Sequence, residues 1–492
     1  MNINNVKPIF KGKVRKESWG GMYYLSGRAY NLTNDTGYFV LKECNGKNSI
    51  EDLVHKLYQE YDAPKEIIQQ DVNAVVSKLV KLGALTWDGL PEAKLDNAVS
   101  SFNKSKNNVS ILMDADFRNI IPSPGIIGMG DYKLSAPMKV LVEFTGKCNL
   151  KCVHCFADAD YKTNIDINKC SDELDTETWC KIIDNIAEQD VFSIFVSGGE
   201  PLMRPDIFEL VSHISSKGVD HCFLTNMTLL DKKAAQKLKD LKCLKVEGNL
   251  DGPDADSYDK FRGAKGAFDA TVRGIRACQE VGLPYRLNIT VTKQNVYQLK
   301  DIIKTAAELG VEELACVPLE MGGRGFKNRS KLEITDKEHI ELASYYADVE
   351  KFALEEYGDR LIFIPPVINE GLNNQLFSII DPNAAMPSCG AGRLHCCVSP
   401  RGNVMLCPSA NEDIPILPGD LKKYSLGQIW NEAEVFKIVR QNNTNCPSDC
   451  EGYFRCAGGC HVRTFQKYGA VGAGTDPGCT VMKRFGTCNL TK

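Results

Sequence analysis

The chain has 492 residues, 43% of them hydrophobic and 25% charged, with a formal net charge of −4. These values describe an ordinary globular protein of about two to four domains, and the slight negative charge gives no reason to expect nucleic-acid binding. No apolar run approaches the length of a membrane span, and the N-terminal segment MNINNVKPIFKGKVRKE lacks the apolar core of a secretory signal. We therefore expect a cytoplasmic protein with neither a membrane nor a nucleic-acid partner.

Residues 1–95 are predicted to form a small α+β domain. Two strands are expected over VRKESWGGMYYLS and GRAYNLT, around a turn at Ser26–Gly27. Three helical patterns follow: DTGYFVLKEC, then SIEDLVHKLYQEY with Ser49 as N-cap, then KEIIQQDVNAVVSKLVKLGAL. This order is typical of a winged-helix-like domain. The continuous apolar face and modest lysine content of the third helix argue against the DNA-binding type.

Residues 96–137 are rich in Asn, Ser, Asp, Pro and Gly and are interpreted as a linker. Over 138–370, strand and helix patterns alternate. The expected strands are KVLVEFT, FSIFVSG, HCFLTN, LKVEGNLD, RLNITVT and ELACVPL, with helical patterns between them. Six such units predict a parallel sheet, either open or an incomplete barrel, whose chemistry collects at the carboxyl ends of the strands.

Twenty cysteines are unusually many for a cytosolic enzyme. A reducing cytosol does not favour a disulfide framework, so clustered cysteines indicate metal or iron–sulfur ligands. Cys148, Cys152 and Cys155 form a C-x₃-C-x₂-C loop directly after the first strand of the alternating region. A structural zinc site takes four ligands and closes. Three thiols on a short loop instead leave one coordination position open for something else to bind.

Two further elements stand at predicted strand ends. In SGGEP, the glycines let the backbone approach a ligand closely, and their N–H groups with the Glu200 carboxylate could bind the polar end of a small molecule. In NLDGPDADSYDKFRG, Asn249 and Asp251 can bond ribose-like hydroxyls, and the fork of Arg262 suits a carboxylate. The alternatives are a plain turn for the first element and a solvated loop for the second.

Together, the cysteine loop, the GGEP segment and the TNMTLL segment of the third strand resemble the radical S-adenosylmethionine (SAM) superfamily over roughly 138–330. The resemblance implies a partial (β/α)6 TIM barrel. It implies that the three thiolates hold three irons of a 4Fe–4S cluster and that SAM chelates the fourth. An electron from the cluster then cleaves the sulfonium, and the 5′-deoxyadenosyl radical takes a hydrogen atom from a substrate. The implied SAM contacts are Phe156 along the adenine, Gly198, Gly199 and Glu200 at the methionine amino group, Asn249 near the ribose, and Asp251 and Arg262.

Residues 371–492 contain a second group of ordered cysteines that resembles a SPASM domain with two auxiliary 4Fe–4S clusters. Its middle run opens with C-x₃-C where the domain usually has C-x₂-C. By resemblance, the first auxiliary cluster is held by Cys389, Cys407 and Cys460. The second is held by Cys446, Cys450, Cys456 and Cys479. The first cluster lacks a fourth ligand, which leaves Cys396, Cys397, a substrate thiolate or no ligand as alternatives. Zinc sites would need four ligands each.

The N-terminal domain resembles the precursor-recognition element of maturases of ribosomally made peptides. The matching features are ESWGG, YNLT and SIEDLVHKLYQEY. Such an element binds an extended leader peptide as an added strand. The order of the three blocks resembles subtilosin-type maturases, supported by CGAG, the SP-x-G turn and SLGQIW.

The leading hypothesis is thus a maturase that closes an intramolecular crosslink, with a cysteine thioether as the expected product and an auxiliary cluster accepting the second electron. The resemblance also implies a reductant such as flavodoxin or ferredoxin. A carbon–carbon crosslinker or an epimerase is the first alternative. A sulfatase-maturing dehydrogenase is disfavoured because Pro408 stands where that family has an Asp base. A non-catalytic peptide-binding scaffold is disfavoured by the intact cysteine loop and GGEP. No general base can be assigned.

Overall fold

The computed structural model describes residues 5–18, 20–25, 28–32, 35–81, 84–87, 133–159, 173–320, 322–366, 390–410, 416–441 and 459–477. The described residues up to Ser135 form one compact unit, and those from Ala136 onward form another. Within these ranges, no helix combines the length and the apolar character needed to cross a membrane. Most of the predicted linker lies outside the described residues.

The first unit contains a small sheet, a strand pair and three helices. Its elements are β1 (Ile9–Phe10), β2 (Lys13–Glu17), β3 (Gly20–Leu25), β4 (Arg28–Leu32), α1 (Asp35–Glu43), α2 (Ile50–Glu60), α3 (Lys65–Lys81) and β5 (Leu85–Thr86). Strands β2, β3 and β4 form an antiparallel sheet in that order, and β1 pairs with β5. The prediction of one strand over 14–26 was wrong. Glu17 pairs with Gly20, so the chain reverses between them, next to two glycines that interrupt the strand pattern.

The three predicted helices of this unit are confirmed, and their caps and apolar faces explain them. Helix α2 begins at the predicted N-cap Ser49, whose hydroxyl accepts from the Asp52 N–H while the Asp52 carboxylate accepts from the Ser49 N–H. Its apolar side is buried at Leu53 and Leu57, whereas Tyr61, directly after the helix, is exposed. Apolar residues of α3 complete the core: Ile68, Val72, Val76 and Leu79.

The second unit is built on a ten-stranded sheet with the order β12-β11-β10-β9-β8-β7-β6-β13-β14-β15. The six strands predicted in the alternating region are β6 (Lys139–Glu143), β7 (Ser193–Ser197), β8 (Asp220–Leu224), β9 (Lys245–Asn249), β10 (Tyr285–Thr290) and β11 (Glu313–Val317). Each is parallel to its neighbour in chain order. This sequential parallel order confirms the α/β prediction and is that of a partial (β/α) barrel.

Helices cross between these strands: α4 (Thr176–Ala187), α5 (Ile207–Ser216), α6 (Lys232–Asp240), α7 (Ala255–Arg262), α8 (Ala267–Val281) and α9 (Leu299–Glu308). Aspartates cap three of them, because the carboxylates of Asp175, Asp231 and Asp254 each accept a first-turn N–H. Apolar side chains of the helices cover one face of the sheet. Trp179 of α4, for instance, is fully buried 4.7 Å from Phe144, measured between ring centroids.

The sheet extends beyond the six predicted strands at both edges. After β11 come α10 (Gly323–Lys327), α11 (Arg329–Leu332), α12 (Asp336–Glu341), α13 (Ala343–Tyr357) and β12 (Ile362–Ile364), then β13 (His395–Val398), β14 (Asn403–Met405), β15 (Gly419–Asp420), α14 (Leu426–Glu432), α15 (Glu434–Arg440) and α16 (His461–Tyr468). Strand β12 is parallel to β11, and β13 is parallel to β6. The predicted boundary at residue 370 therefore does not interrupt the sheet, since β13 follows it in sequence.

Candidate functional site

The three-cysteine loop follows β6 at the carboxyl edge of the parallel strands. The Cys148 and Cys152 residues are 7% and 8% exposed, and Cys155 is half-buried. Burial raises the pKa of the Cys148 thiol to about 12 and also raises that of Cys155. Such thiols stay protonated near neutral pH unless a cation or cluster binds their sulfurs.

The end of helix α7 holds the middle of this loop. The Lys151 N–H donates to the Arg262 carbonyl and the Val153 N–H to the Phe261 carbonyl, each over 3.1 Å. Gly263 ends the helix with a positive φ of 68°, and a Cβ at this position would lie 2.3 Å from the Lys151 carbonyl oxygen. The helix end and the loop can approach this closely only because residue 263 is glycine.

A second clamp comes from the segment after β11, and the sequence analysis missed it. The Arg324 Nε donates to the Cys152 carbonyl over 2.8 Å, its N–H donates to the Cys155 carbonyl over 2.8 Å, and its Nη1 pairs with the Asp158 carboxylate at 2.9 Å. A Cβ on Gly323 would meet the Phe156 carbonyl oxygen at 2.5 Å. The glycine-rich MGGRG after the sixth strand was the signal that could have revealed this clamp.

The two glycines of the SGGEP turn pack against the chain that leads into the cysteine loop. A Cβ on Gly198 would lie 2.4 Å from the Thr145 carbonyl oxygen, and a Cβ on Gly199 would lie 2.2 Å from that of Lys147. The Gly199 and Glu200 N–H groups donate to these carbonyls over 2.7 and 2.8 Å. The expectation that the Gly199 N–H serves a ligand was therefore wrong in this structure, because a backbone carbonyl of the chain occupies it.

The Glu200 carboxylate is fully buried and ties this turn to the end of β8. Its Oε1 accepts from the Leu202 N–H at 3.0 Å and the Thr225 hydroxyl at 2.8 Å, and its Oε2 accepts from the Asn226 N–H at 2.8 Å. Burial raises the pKa of Glu200 to about 7, and these hydrogen bonds oppose that rise. The carboxylate thus joins the ends of the neighbouring strands β7 and β8.

Asn226 carries this network to the first cysteine. Its Nδ2 lies 3.8 Å from the Cys148 Sγ and 2.9 Å from the Asn149 Oδ1, while its own Oδ1 accepts from the Thr228 N–H and hydroxyl. The sequence analysis singled out the TNMTLL segment but gave none of its residues a role. The structure places the side-chain amide of Asn226 beside the sulfur.

Asp251 and Arg262 form a buried ion pair beside the second cysteine. The Arg262 Nη2 donates to the Asp251 carboxylate, and its Nη1 lies 3.7 Å from the Cys152 Sγ. The Asp251 Oδ1 also accepts from the Thr290 N–H at 2.7 Å. Burial raises the pKa of Asp251 and the adjacent guanidinium opposes that rise. Asn249 ends β9 beside Asn288 of β10, half-buried.

These surroundings fit the three-cysteine cluster that the sequence resemblance implies. Hydrogen-bond donors and one cation face the sulfurs, and the Arg262 Nε is buried without a hydrogen-bond partner among the described residues. Such groups stabilise thiolates rather than thiols. No three His, Cys, Asp or Glu side chains of the described ranges are grouped to hold a single metal ion. A cubane places each thiolate on a different iron, so its ligands need not meet at one point.

Two of the seven predicted auxiliary-cluster ligands lie in the described residues. Cys407 follows β14, and Cys460 precedes α16 with its N–H donating to the Asp476 carboxylate over 2.8 Å. Both are half-buried. Next to Cys407, the Ser409 hydroxyl donates to the Glu320 carboxylate after β11. Cys389, Cys446, Cys450, Cys456 and Cys479 lie outside the described residues.

Cys396 and Cys397 are both fully buried in β13 and, as neighbours in a strand, face opposite sides of the sheet. Cys397 pairs with Met405 of β14. Burial raises the pKa of both thiols, and the nearby Cys407 raises that of Cys397 further. For Cys396, the positive charge of the Arg440 guanidinium partly opposes this rise.

Comparison with known families recovers the three predicted blocks. Residues 142–306 match the radical SAM superfamily, residues 22–85 match the coenzyme PQQ synthesis protein D (PqqD) family, and residues 389–457 match the SPASM family, an iron–sulfur cluster-binding domain. Among curated proteins, a mycofactocin maturase of Mycobacterium ulcerans is 30% identical over 358 residues, covering 72% of this chain and 91% of that protein. An AdoMet-dependent heme synthase of Methanosarcina barkeri is 27% identical over 347 residues, covering 68% and 94%.

The fold is similar to solved structures over nearly the whole chain. The crystal structure of Streptococcus suis SuiB bound to the precursor peptide SuiA matches with a TM-score of 0.67 and 17% identity. That match covers 96% of this chain and 99% of SuiB. At this identity the likeness concerns architecture, so the chemistry has to be argued from the site.

Proposed function

This chain belongs to the radical SAM superfamily and carries PqqD and SPASM domains, and on that premise we propose that it is a maturase that crosslinks a ribosomally made precursor peptide. The observation that carries the proposal is the three-cysteine loop, which is fastened at the carboxyl ends of the parallel strands with N–H donors against Cys148 and Cys152. The relatives are named for different products, mycofactocin and heme. The substrate class of this chain therefore has to be inferred from its other domains.

In this proposal Cys148, Cys152 and Cys155 hold a 4Fe–4S cluster, and SAM contacts are drawn from Phe156, the SGGEP turn, Asn249 and Arg262. When bound, these cofactors supply reductive cleavage of SAM and a 5′-deoxyadenosyl radical that takes a hydrogen atom from the substrate. The carbonyl oxygens of the SGGEP turn remain suited to accept from an ammonium group, because each carbonyl has two lone pairs. The chain's own contribution is to fix these groups at one edge of the sheet.

The PqqD domain favours a peptide substrate. Its three-stranded sheet has two edge strands, β2 and β4, and an extended leader can add to such an edge through main-chain hydrogen bonds. The Ser135 N–H donates to the carboxylate of Glu17 on β2 over 2.7 Å, so part of the chain already lies at that strand. We therefore assign the leader to the β4 edge.

The proposed product is a thioether between a cysteine sulfur and another residue's α-carbon. Forming it breaks one S–H and one C–H bond and makes one S–C bond, so the peptide loses two hydrogens. One leaves as the abstracted hydrogen atom. The other leaves as the thiol proton together with one electron, for which the cysteines of the SPASM domain would provide an iron–sulfur acceptor. A carbon–carbon crosslink gives the same mass change without consuming a thiol, and an epimerisation gives no mass change.

Co-expression with a candidate precursor peptide, sought among the short open reading frames beside the gene, tests this proposal. We expect tandem mass spectrometry to show a core peptide lighter by two hydrogens for each crosslink, with the crosslinked cysteines resistant to thiol alkylation. A precursor without its leader should remain unmodified because the PqqD domain would have nothing to bind. The same mass loss with every thiol still alkylatable would replace the thioether with a carbon–carbon crosslink, and an unmodified full-length precursor would contradict a maturase acting on it.

The first auxiliary cluster allows a sharper test, because two adjacent cysteines compete for its fourth position. We propose Cys397. Partners across an antiparallel pair face the same side, so Cys397 lies on the side of Met405. Cys407 follows β14 by two residues, and its thiol is close enough to raise the pKa of Cys397. Cys396, the neighbouring residue in β13, faces the opposite side of the sheet.

Replacing Cys397 by Ala should therefore lower the iron content by up to one cluster and remove one auxiliary signal from the electron paramagnetic resonance (EPR) spectrum of the reduced protein. Cys396→Ala is the matched control, since it removes an equally buried thiol from the same strand and should leave the iron unchanged. Iron loss in the Cys396 variant alone would reverse the assignment. Full iron in both variants would leave the position for a substrate thiolate.

A further inference from the structure

A buried guanidinium lies against the sulfur of the second loop cysteine. Arg262 is 4% exposed, its Nη1 is 3.7 Å from the Cys152 Sγ, and its charged group lies 5.6 Å from the centroid of the Tyr258 ring. Its Nη2 is paired with the Asp251 carboxylate. Burying a cation is costly unless anions and hydrogen bonds compensate it. A positive charge at this position interacts electrostatically with any group bound to the Cys152 sulfur.

The position of this charge is fixed from several sides. The Arg262 carbonyl accepts the Lys151 N–H over 3.1 Å, which couples the helix end to the loop. Asp251 is held by the Thr290 N–H on its carboxylate at 2.7 Å and by the Asn295 Nδ2 on its carbonyl at 3.1 Å. The ion pair and the sulfur therefore keep one arrangement.

The donors at Cys148 differ in charge from the donor at Cys152. The Cys148 Sγ accepts from the Leu150 N–H at 3.4 Å and faces the Asn226 amide at 3.8 Å, and both of these groups are neutral. A cluster gains one negative charge on reduction, so a nearby cation stabilises its reduced state more than its oxidised state. Hydrogen bonds and charges at the sulfurs are among the protein's means of setting a cluster's potential.

We propose that Arg262 and Asp251 form a charge pair that sets the reduction potential of the cluster on this loop, with Arg262 raising the potential and Asp251 limiting the rise. The inference rests on the proposed function, because it requires a cluster at Cys148, Cys152 and Cys155. It assigns Arg262 a positioning and tuning role that is present before SAM binds. It also explains why the pair is buried beside a sulfur rather than exposed at the strand ends.

The test is an EPR-monitored redox titration of the anaerobically reconstituted full-length chain without SAM. Arg262→Gln should lower the midpoint potential of the loop cluster, since the nearer of the two charges is lost. Asp251→Asn should raise it, since the guanidinium then acts without its counter-charge. Subtracting the spectrum of a Cys152→Ala variant isolates the signal of the loop cluster from those of the auxiliary clusters.

Arg286→Gln serves as the matched control. Arg286 is a half-buried arginine of the barrel that, like Arg262, is paired with acidic side chains: the Glu247 carboxylate at 2.6 Å and the Glu313 carboxylate at 3.6 Å. Its removal should shift the potential less than the removal of Arg262. If the Arg262→Gln variant does not take up the cluster, Arg262→Lys is used in its place. The lysine keeps the positive charge, so the midpoint potential of this variant should stay nearer to the wild-type value than the potential of Asp251→Asn does.

Opposite shifts in the Arg262→Gln and Asp251→Asn variants support the proposal, because a general disturbance of the loop would not reverse its sign between them. Unchanged potentials, or shifts in the same direction, overturn it while leaving the proposed function intact. If the wild-type chain shows no signal that Cys152→Ala removes, then no cluster sits on the loop and the proposed function itself fails.

Discussion

Replacing Cys152 by Ala should reduce 5′-deoxyadenosine formation to the level of a reaction without enzyme. The residue stands at the centre of the cysteine loop, with the Arg262 guanidinium on its sulfur and the Arg324 side chain on its carbonyl. Two cysteines on this loop would leave a second iron of the cubane without a protein ligand, so we expect the cluster to be lost. The measurement is anaerobic turnover with SAM and dithionite, followed by chromatography of the products.

Two readouts separate this loss from misfolding. The iron bound by the C-terminal cysteines and the affinity for the leader peptide should remain near wild-type values in the variant. Cys180→Ala is the matched control, because Cys180 is a half-buried thiol on helix α4 away from the predicted ligands, and its removal should leave turnover unchanged. If Cys152→Ala still cleaved SAM, the assignment of this loop would be wrong.

Replacing Gly199 by Ala should have the second-largest effect. The added Cβ would lie 2.2 Å from the Lys147 carbonyl oxygen, next to the cysteine loop. This oxygen belongs to the backbone, so it cannot rotate away as a side chain could. We expect a loss of about 1–3 kcal/mol in the free energy of unfolding from overpacking. SAM cleavage should fall by more than the loss of folded protein explains, because relief of this contact displaces the loop that carries Cys148. Thermal unfolding and product formation measure the two effects.

Gly218→Ala provides the contrasting control. Gly218 has a positive φ of 69°, yet a Cβ there would meet no atom within 4 Å. Alanine should cost about 1–2 kcal/mol through the left-handed backbone alone, with catalysis otherwise preserved at temperatures where the chain is folded. Equal losses of SAM cleavage in both variants, matched by equal losses of stability, would mean that the Gly199 contact has no specific link to the site.

Much of this fold could be predicted from local sequence patterns. Strands β6 to β11 and their crossover helices follow from alternating apolar runs separated by aspartate caps and glycine stops. By contrast, β12 has three residues and β13 has four, too few for a reliable pattern, and their places in the sheet depend on pairing with distant strands. The hairpin at Glu17 and Gly20 was missed because the strand pattern resumes directly after the reversal.

The candidate site was predictable to a similar degree. The cysteines and the SGGEP turn were found because their residue types and spacing are local in sequence. The supporting side chains were not found, because Asn226 and Arg324 are distant from the loop in sequence. They reach it only when the chain folds and the ends of β8 and β11 lie beside the loop. The close approach at Gly199 was expected, but its partner proved to be the chain itself rather than a ligand, a distinction that spacing cannot make.

The most direct measurement of the central claim is anaerobic incubation of the chain with SAM, a reductant and a precursor peptide deuterated in its core. We predict that 5′-deoxyadenosine accumulates and carries deuterium from the peptide, since the hydrogen atom removed from the core passes to the deoxyadenosyl group. No 5′-deoxyadenosine would contradict radical SAM chemistry in this chain. 5′-Deoxyadenosine that never carries deuterium, whichever core position is labelled, would contradict its action on the peptide.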